Sequence, residues 1–569
     1  MDELLPQWTV PSFQSIAGRY PLGLEAVSLN ILATKLAPGL PVLSRHPRYW
    51  SIYTYLIKRF QDTQKPTKTT KNPVLGRYLK SREIVFASAA LLHHLPEFLR
   101  NVVGSDTLGP WLRRNQSTTT SLPVSLEGEL GSYLQQSMGG YGQIYRGAMA
   151  DLELVLHPEN IREDIYFDIA WGELGTVVAN TFASAIAETR YVKEFIDKDI
   201  DEIPLNVVRE LGEVSCFCLL RHHEPERRLL TDVLLGKAQA TFHKEPQAID
   251  KEYLLYRRRQ RAETVRMFLD LADQTQNIAL SQEDIFRNLL YYGHSENGAA
   301  WYPERQRIQG TWRQWWLIQL REWVVGALNG IFRDFVSWGN SRGGLFTPLP
   351  IREYVQYIST LSLTLPSIGE KTLQDLSLGQ LSTMIDDNIS SGAWPLRAQK
   401  GEIEKISERS RLRQNNPAMT FLTLLVSQRR YARIQQQQGF LVEEVALLRE
   451  GNRDRLSTNY IFDWLADQIA HDMPASQTFE QLMQEMIVSQ HIRVALSKLN
   501  SNADTFRFHE EEDGVRFTPY SNVDISSISV RFEAISEALY GLDLISASLT
   551  KPSHGPTTYG WEILNAEPF

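Results

Sequence analysis

Cysteine is nearly absent from this chain of 569 residues, which contains only Cys216 and Cys218. Two cysteines are too few for a disulfide framework or for a zinc site made of four thiolates. Long apolar runs are also lacking, because residues 315–335 carry four charged side chains and a membrane span needs about 20 apolar residues. The N-terminus has no basic region followed by an apolar core. We therefore expect no signal peptide, no membrane partner and a cytoplasmic location.

Motifs of several enzyme classes are missing as well. The chain has no Gly-x-x-x-x-Gly-Lys-Ser/Thr phosphate loop, no Gly-x-Ser-x-Gly nucleophile turn and no His-Glu-x-x-His metal pair. A nuclease needs separated acids that hold a metal, followed by a lysine. Glu163, Asp164 and Asp168 supply acids without that lysine. We expect a protein that is not an enzyme and has no cofactor, with a divergent metal-dependent nuclease using these acids as one alternative.

The composition is that of a soluble globular protein, with 43% hydrophobic and 22% charged residues. A chain of this length is expected to form three or four domains. Its net charge of −8 disfavours a surface that coats nucleic acid without specificity. Any contact with DNA must therefore come from local basic patches.

Apolar residues recur at three- and four-residue spacing through most of the chain, which predicts a mainly α, multi-domain helical protein. Three tryptophans, Trp312, Trp316 and Trp323, fall on one helical face and indicate core packing. The acidic segment 510–514 lies between apolar strands and predicts a β-hairpin. The predicted regions are an N-terminal helical region 1–127, a winged-helix-like unit 128–200, a central helical domain 201–345, a second helical region 346–490 and a C-terminal winged-helix-like unit 491–569.

A pattern that occurs twice is the basis for the two winged-helix-like units. Residues 148–156 and 538–545 each end an apolar helix with Leu-x-Leu followed by Val or Ile. A hairpin-sized insert follows, and then a glycine-containing amphipathic segment, 171–179 or 558–564. This order is typical of the recognition helix, wing and next element of a winged-helix unit with a short β-hairpin. Such a unit binds DNA or docks a partner protein, and the sequence leaves both open.

Cationic and amide side chains near these copies, and in two further basic runs, are candidate DNA contacts. On a helix a run such as 257–261 spreads around the circumference, so only two or three members can face one ligand. The alternative for each run is a solvated helix face. The candidate DNA-binding residues are Gln143, Arg146, Arg162, Arg257, Arg258, Arg261, Arg429, Arg430, Arg433 and Lys551.

A metal site is suggested by Cys216, Cys218, His222 and His223, but the predicted helix over 205–220 argues against it. On that helix Cys216 points about 200° away from Cys218, so the four side chains cannot converge without unwinding. We expect a buried thiol pair and no metal site. His93-His94 is expected to end a helix before Pro96.

Short motifs near the start of the chain resemble those of a known family. They are Leu22-Gly23, Pro38-Gly39 and Arg48-Tyr49-Trp50-Ser51-Ile52-Tyr53, and the segment 141–145 is similar as well. Because of these motifs, the chain resembles a poorly characterised bacterial protein family associated with anti-phage defence gene clusters. The resemblance covers most of the chain. The resemblance implies a defence context and supplies no catalytic residue.

These patterns together predict a non-catalytic helical subunit of a bacterial anti-phage defence or DNA-processing complex. The expected partners are DNA and other protein subunits, such as a helicase or nuclease encoded nearby. The winged-helix-like units and basic patches would contact DNA, and the helical surface would hold the other subunits. A protein-only scaffold without nucleic-acid contact is the main alternative.

Overall fold

A computed structural model gives the architecture of most of the chain. Helix accounts for 66% and strand for 6% of the described residues, which confirms the mainly α class. The described residues are 20–43, 45–63, 72–97, 99–115, 120–126, 130, 136–158, 166–238, 251–280, 283–365, 369–392, 402–403, 406, 416–438, 440–451, 455–499, 505–518 and 528–566.

Twenty α-helices are described. They are α1 (Leu24–Ile31), α2 (Arg48–Thr63), α3 (Asn72–His93), α4 (Ser105–Asn115), α5 (Arg146–Asp151), α6 (Gly172–Ile186), α7 (Leu205–Ser215), α8 (Glu224–Leu234), α9 (Lys251–Thr275), α10 (Glu283–Tyr292), α11 (Gln306–Ser341), α12 (Ile351–Ser359), α13 (Leu378–Ser390), α14 (Pro417–Gln438), α15 (Val442–Val445), α16 (Thr458–Ala470), α17 (Ala475–Leu482), α18 (Ser489–Leu499), α19 (Phe532–Gly541) and α20 (Thr558–Asn565).

Shorter turns of π- or 3₁₀-helix extend or link several of these helices. The π-helical segments are Leu32–Leu36, Tyr141–Tyr145, Tyr191–Phe195 and Met483–Val488, and the 3₁₀ segments are Phe217–His222 and Ala446–Arg449. No described helix is long and apolar enough to cross a membrane.

The strands of the described residues form four separate antiparallel pairs. They are β1 (Ser121–Pro123) with β4 (Glu202–Pro204), β2 (Val155–Leu156) with β3 (Ile169–Ala170), β5 (Leu363–Leu365) with β6 (Gly369–Lys371), and β7 (Phe508–Glu511) with β8 (Gly514–Phe517). In the last pair Phe508 lies opposite Phe517 and Glu511 opposite Gly514. The predicted hairpin with an acidic turn is therefore confirmed.

The chain forms two compact units, each made from separated segments. The first contains the described residues of Met1–Ile31, Asp284–Tyr302 and Trp312–Ile528, and the second those of Leu32–Glu283, Pro303–Thr311 and Ser529–Phe569. The predicted region 128–200 lies within the second unit, and 346–490 lies within the first. The predicted C-terminal region 491–569 is divided between them, because the hairpin β7–β8 belongs to the first unit and α19 and α20 to the second.

The core of the first unit forms along the part of α11 that belongs to it. Trp316 is buried, its ring stacks on Tyr291 at 5.2 Å, and its Nε1 donates to the Tyr291 carbonyl over 3.1 Å. Trp312 and Trp323 pack, partly buried, against the same core. The predicted tryptophan stripe is thus a packing surface, as its helical spacing indicated.

The second unit brings α3 and α7 into backbone contact. A Cβ on Gly212 of α7 would lie only 2.6 Å from the Ala89 carbonyl oxygen of α3, so only glycine permits this approach. His93 follows Ala89 by four residues, and Cys216 follows Gly212 by four residues, just after the end of α7. The close approach therefore places the ends of α3 and α7 side by side.

Both copies of the repeated sequence pattern lie in the second unit and fold alike. In the first, α5 leads through a short turn to the strand pair β2–β3 and then to α6. In the second, α19 leads through the same kind of turn to a bridge between Ile545 and Pro556 and then to α20. Both copies have a helix, a short β pairing and a second helix in this order, and the pairing in the second copy is a single bridge.

Candidate functional site

An acidic residue occupies the same backbone position in the two copies. Glu153 has φ of 60° and Asp543 has φ of 57°, a left-handed conformation that is unfavourable for side chains other than glycine. The next residue closes the turn in each case: Leu154 N donates to Met149 O, and Leu544 N donates to Leu539 O, both over 2.9 Å. We name these two segments the acidic turns.

Arginines from other helices hold both acidic turns. Arg258 of α9 binds the two carboxylate oxygens of Glu153 with Nε and Nη2. Arg221 and Arg227 each donate to one oxygen of Asp543, both over 2.6 Å. These two acids were not among the predicted site residues, although both occur in Leu-x-Leu segments at the same place in the repeat.

The predicted DNA contacts of the first copy differ in their exposure to solvent. Gln143 is exposed. Arg146 is half-buried and bound to Asp168, with Nε 2.7 Å from Oδ2 and Nη2 2.9 Å from Oδ1. Arg162 lies outside the described residues, and so do Glu163 and Asp164.

Asp168, the described member of the predicted nuclease acids, is fully buried. Tyr141 donates its hydroxyl to Oδ2 over 2.7 Å, and Asn72 Nδ2 lies 3.3 Å from Oδ1. Together with Arg146, these donors occupy both carboxylate oxygens. These hydrogen bonds favour a structural role for Asp168, which holds β3 in place, and disfavour metal binding by this carboxylate.

The basic run on α9 divides into buried and exposed members. Arg257 pairs with Asp151, and Arg258 pairs with Glu153 as described. Arg261 is buried and donates to the backbone carbonyls of Leu234, Val233 and Asp151. Burial lowers the pKa of Arg261 to about 10, still far above neutral pH.

Arg259 is the exposed arginine of the run. It lines a cavity of about 580 Å³ together with Lys237, Glu252, Tyr256 and Arg258. Leu255 also lines it and is 60% exposed, and Tyr253 nearby on α9 is 42% exposed. We name this cavity and its rim the α9 groove. It combines cations with aromatic and aliphatic surface.

The remaining predicted contacts lie on α14 and in the second copy. Arg429 and Arg430 are half-buried and bind carboxylates, Asp386 and Glu402 respectively. Arg433 donates to the Ser390 hydroxyl over 2.8 Å. Lys551 is exposed, in the segment between Ile545 and Pro556. The arrangement on α14 therefore ties its basic face to acids of the same unit.

The structure corrects the predicted helix over 205–220. Helix α7 ends at Ser215, because Cys216 adopts an extended conformation with φ −57° and ψ 142°. A 3₁₀ segment then begins at Phe217. With this backbone, Cys218 lies on the same side of the chain as Cys216, and the two sulfurs are 3.4 Å apart. The expected thiol pair exists, but on an unwound segment, with Cys216 buried and Cys218 half-buried.

Two histidines from another helix meet the cysteines. The ligand atoms of His93, His94, Cys216 and Cys218 all lie within 4.8 Å of one another. His222 and His223, the histidines considered from the sequence, are not members of this group. As predicted, α3 ends at the His93-His94 pair. We name the four side chains the His₂Cys₂ cluster.

The two thiols differ in acidity because they share a hydrogen bond. That bond lowers the pKa of Cys218 to about 5, with His94 and His93 acting in the same direction. It raises the pKa of Cys216, as does burial of that thiol. The peptide carbonyl of Cys216 accepts a 2.6 Å hydrogen bond from Arg48, which is itself paired with the buried Glu226.

Comparison with protein-family models, with curated proteins and with solved structures finds no match to the chain.

Proposed function

We propose that this chain is a non-catalytic, DNA-binding subunit of a bacterial anti-phage defence or DNA-processing complex, and that its two acidic-turn copies are winged-helix-like units. The α9 groove is the observation that supports DNA binding. Exposed Arg259 and Lys237 supply positive charge there, and Tyr256 supplies an aromatic ring. Cations interleaved with aromatic side chains suit the phosphates and bases of nucleic acid.

The ion pairs of α9 support a DNA contact by the exposed member of the basic run rather than by its paired members. Arg257 and Arg258 neutralise Asp151 and Glu153, and Arg261 is buried against backbone carbonyls. Their charge is therefore used within the protein. Arg259, which projects into solvent from the same helix, is the arginine of the run that reaches a phosphate, and Lys237 is the second cation of the contact.

A salt titration of DNA binding tests the proposal. Fluorescence anisotropy with a labelled duplex and with the matching single strand would be measured for the wild type, Arg259→Ala and Lys237→Ala. Each variant should weaken binding, and each lost phosphate contact should reduce the slope of log K against log salt by about 1. Arg114→Ala, an exposed arginine of α4, is the matched control and should keep the wild-type slope.

Two results would contradict the proposal. One is the absence of binding to either DNA at low salt. The other is equal binding by Arg259→Ala, Lys237→Ala and Arg114→Ala, which would show that the groove is not the contact surface.

An exposed apolar pair favours partner proteins as a second ligand class. Leu441 and Val442, at the start of α15, are 60% and 80% exposed. Adjacent aliphatic side chains in water are typical of a protein contact. A helicase or nuclease subunit is the expected partner. A complex that co-purifies without nucleic acid and is lost in the Leu441→Asp, Val442→Asp double variant would favour the protein-only scaffold.

A further inference from the structure

The His₂Cys₂ cluster contains the donor atoms that a zinc ion prefers. Thiolate sulfur and imidazole nitrogen bind Zn²⁺ at about 2.3 Å and about 2.0 Å respectively, almost always in a tetrahedron. In that geometry two sulfurs lie about 3.8 Å apart and two nitrogens about 3.3 Å apart. The observed sulfur separation of 3.4 Å is close to the first value, and the whole group, within 4.8 Å, would contract by about 1 Å around the ion. Small side-chain movements would complete the tetrahedron.

One ring nitrogen of each histidine makes no hydrogen bond within the described part of the chain. These nitrogens, His93 Nδ1 and His94 Nε2, are both buried. The carboxylate of Glu213 lies 3.6 Å from His93 Nδ1, beyond hydrogen-bond distance. Buried nitrogens without a partner are rare in proteins. A metal ion would supply the missing interaction for an imidazole lone pair.

The backbone fixes the four side chains from two directions. Gly212 lets α7 approach α3, so that His93 and Cys216 each follow the point of contact by four residues. Arg48 holds the peptide carbonyl of Cys216 after the helix has ended. Both α3 and α7 end at the cluster, and the carbonyl ends of helices favour a cation.

We propose that His93, His94, Cys216 and Cys218 bind one structural Zn²⁺ ion that ties the end of α3 to the segment after α7. Four protein ligands close the coordination sphere, which distinguishes a structural site from a catalytic one with an open position. Both cysteines bind as thiolates. Any thiol proton is released to solvent, and no electron is transferred.

Metal analysis of the full-length chain tests this directly. The protein would be purified without added chelator, its zinc measured by mass spectrometry, and the metal-depleted form titrated with Co²⁺. About one zinc ion per chain is expected, and Co²⁺ should give the visible absorption of a tetrahedral thiolate site. Removal of zinc should lower the thermal unfolding temperature, and returned zinc should restore it. These measurements on the wild type do not depend on whether a variant folds.

Variants then assign the ligands. Cys218→Ser and the His93→Ala, His94→Ala double variant should lose the zinc and the Co²⁺ spectrum. His222→Ala removes an exposed histidine that lies four residues beyond Cys218 but is not in the cluster, so it should keep both. Circular dichroism of each variant would show whether the helices remain.

Three outcomes would overturn the assignment. The first is wild-type protein that binds neither zinc nor Co²⁺. The second is unchanged zinc affinity in the double histidine variant, which would leave the histidines without a ligand role. The third is a Cys216–Cys218 disulfide in protein prepared under reducing conditions, detected by intact mass, because a disulfide removes both thiolates.

Discussion

The two acidic turns have the same backbone and are held by different side chains. Glu153 is only 3% exposed and binds a single arginine, Arg258, through both oxygens. Asp543 is 26% exposed and binds two arginines, Arg221 and Arg227, through one oxygen each. The carboxylate of the second copy is thus held by two cations, and that of the first by one.

The two copies share a negative charge at the left-handed position and differ in the residue type that carries it. A left-handed residue costs the chain about 1–2 kcal/mol. In both copies that residue carries a carboxylate, and the carboxylate is anchored by arginine. In the first copy the turn therefore joins the α5–α6 segment to α9 through the pair of Glu153 and Arg258.

The largest expected effect is loss of the buried anchor. Glu153→Gln leaves Arg258 without a counter-charge in a mostly buried place and should lower the free energy of unfolding by about 3–5 kcal/mol. Asp543→Asn should cost less, because water reaches that site. Urea unfolding followed by tryptophan fluorescence would measure both, and a double-mutant cycle with Arg258→Met would isolate the pair. Equal losses at the two turns would contradict the distinction drawn from burial.

A smaller effect is expected from the glycines that follow the turns. A Cβ on Gly560 would lie 2.0 Å from the Leu544 carbonyl oxygen, and a Cβ on Gly175 would lie 2.9 Å from that of Leu154. Gly560→Ala should destabilise by about 3 kcal/mol and Gly175→Ala by about 1 kcal/mol. Gly147→Ala is the control, since nothing lies within 4 Å of its added Cβ. The reverse order in thermal unfolding would show that the second turn adapts more easily than the first.

The smallest expected effect concerns the helix that closes each copy. Thr557 begins α20 with a side-chain cap that accepts from Gly560 N over 3.1 Å, whereas Trp171 begins α6 without one. Thr557→Ala should lower stability by about 1 kcal/mol, and Thr557→Ser should retain most of it. Hydrogen exchange at the first amides of α20 would report the loss locally. Unchanged exchange in Thr557→Ala would show that the cap contributes little.

The sequence predicted the local order of these elements well. Apolar spacing placed the helices and the tryptophan packing surface, and the alternating segment around Gly514 placed the β7–β8 hairpin. Periodicity carries this information because each side chain's position along a helix or strand fixes the face it occupies. The residues that hold Glu153 and Asp543 could not be predicted, since Arg258 and Arg221 are more than 100 and 300 positions away respectively.

The cysteines show where the sequence argument failed. The helical period predicts Cys216 and Cys218 on one helix, about 200° apart, but that helix ends at Ser215. The sequence signal for the His₂Cys₂ cluster is a His-His pair and a Cys-x-Cys pair, each at the end of a helical segment. Nothing in their spacing joins them, because more than 120 residues lie between His94 and Cys216.

Local sequence is enough to predict the helical class and the repeated order of helix, turn and helix. These follow from the period of apolar residues and from local backbone preference. The tertiary structure alone decided which arginines became internal anchors and which histidines met the cysteines. Those pairings depend on the close approach of α3 to α7 at Gly212 and of α9 to the first acidic turn, and contacts between distant segments leave no periodic trace in the chain.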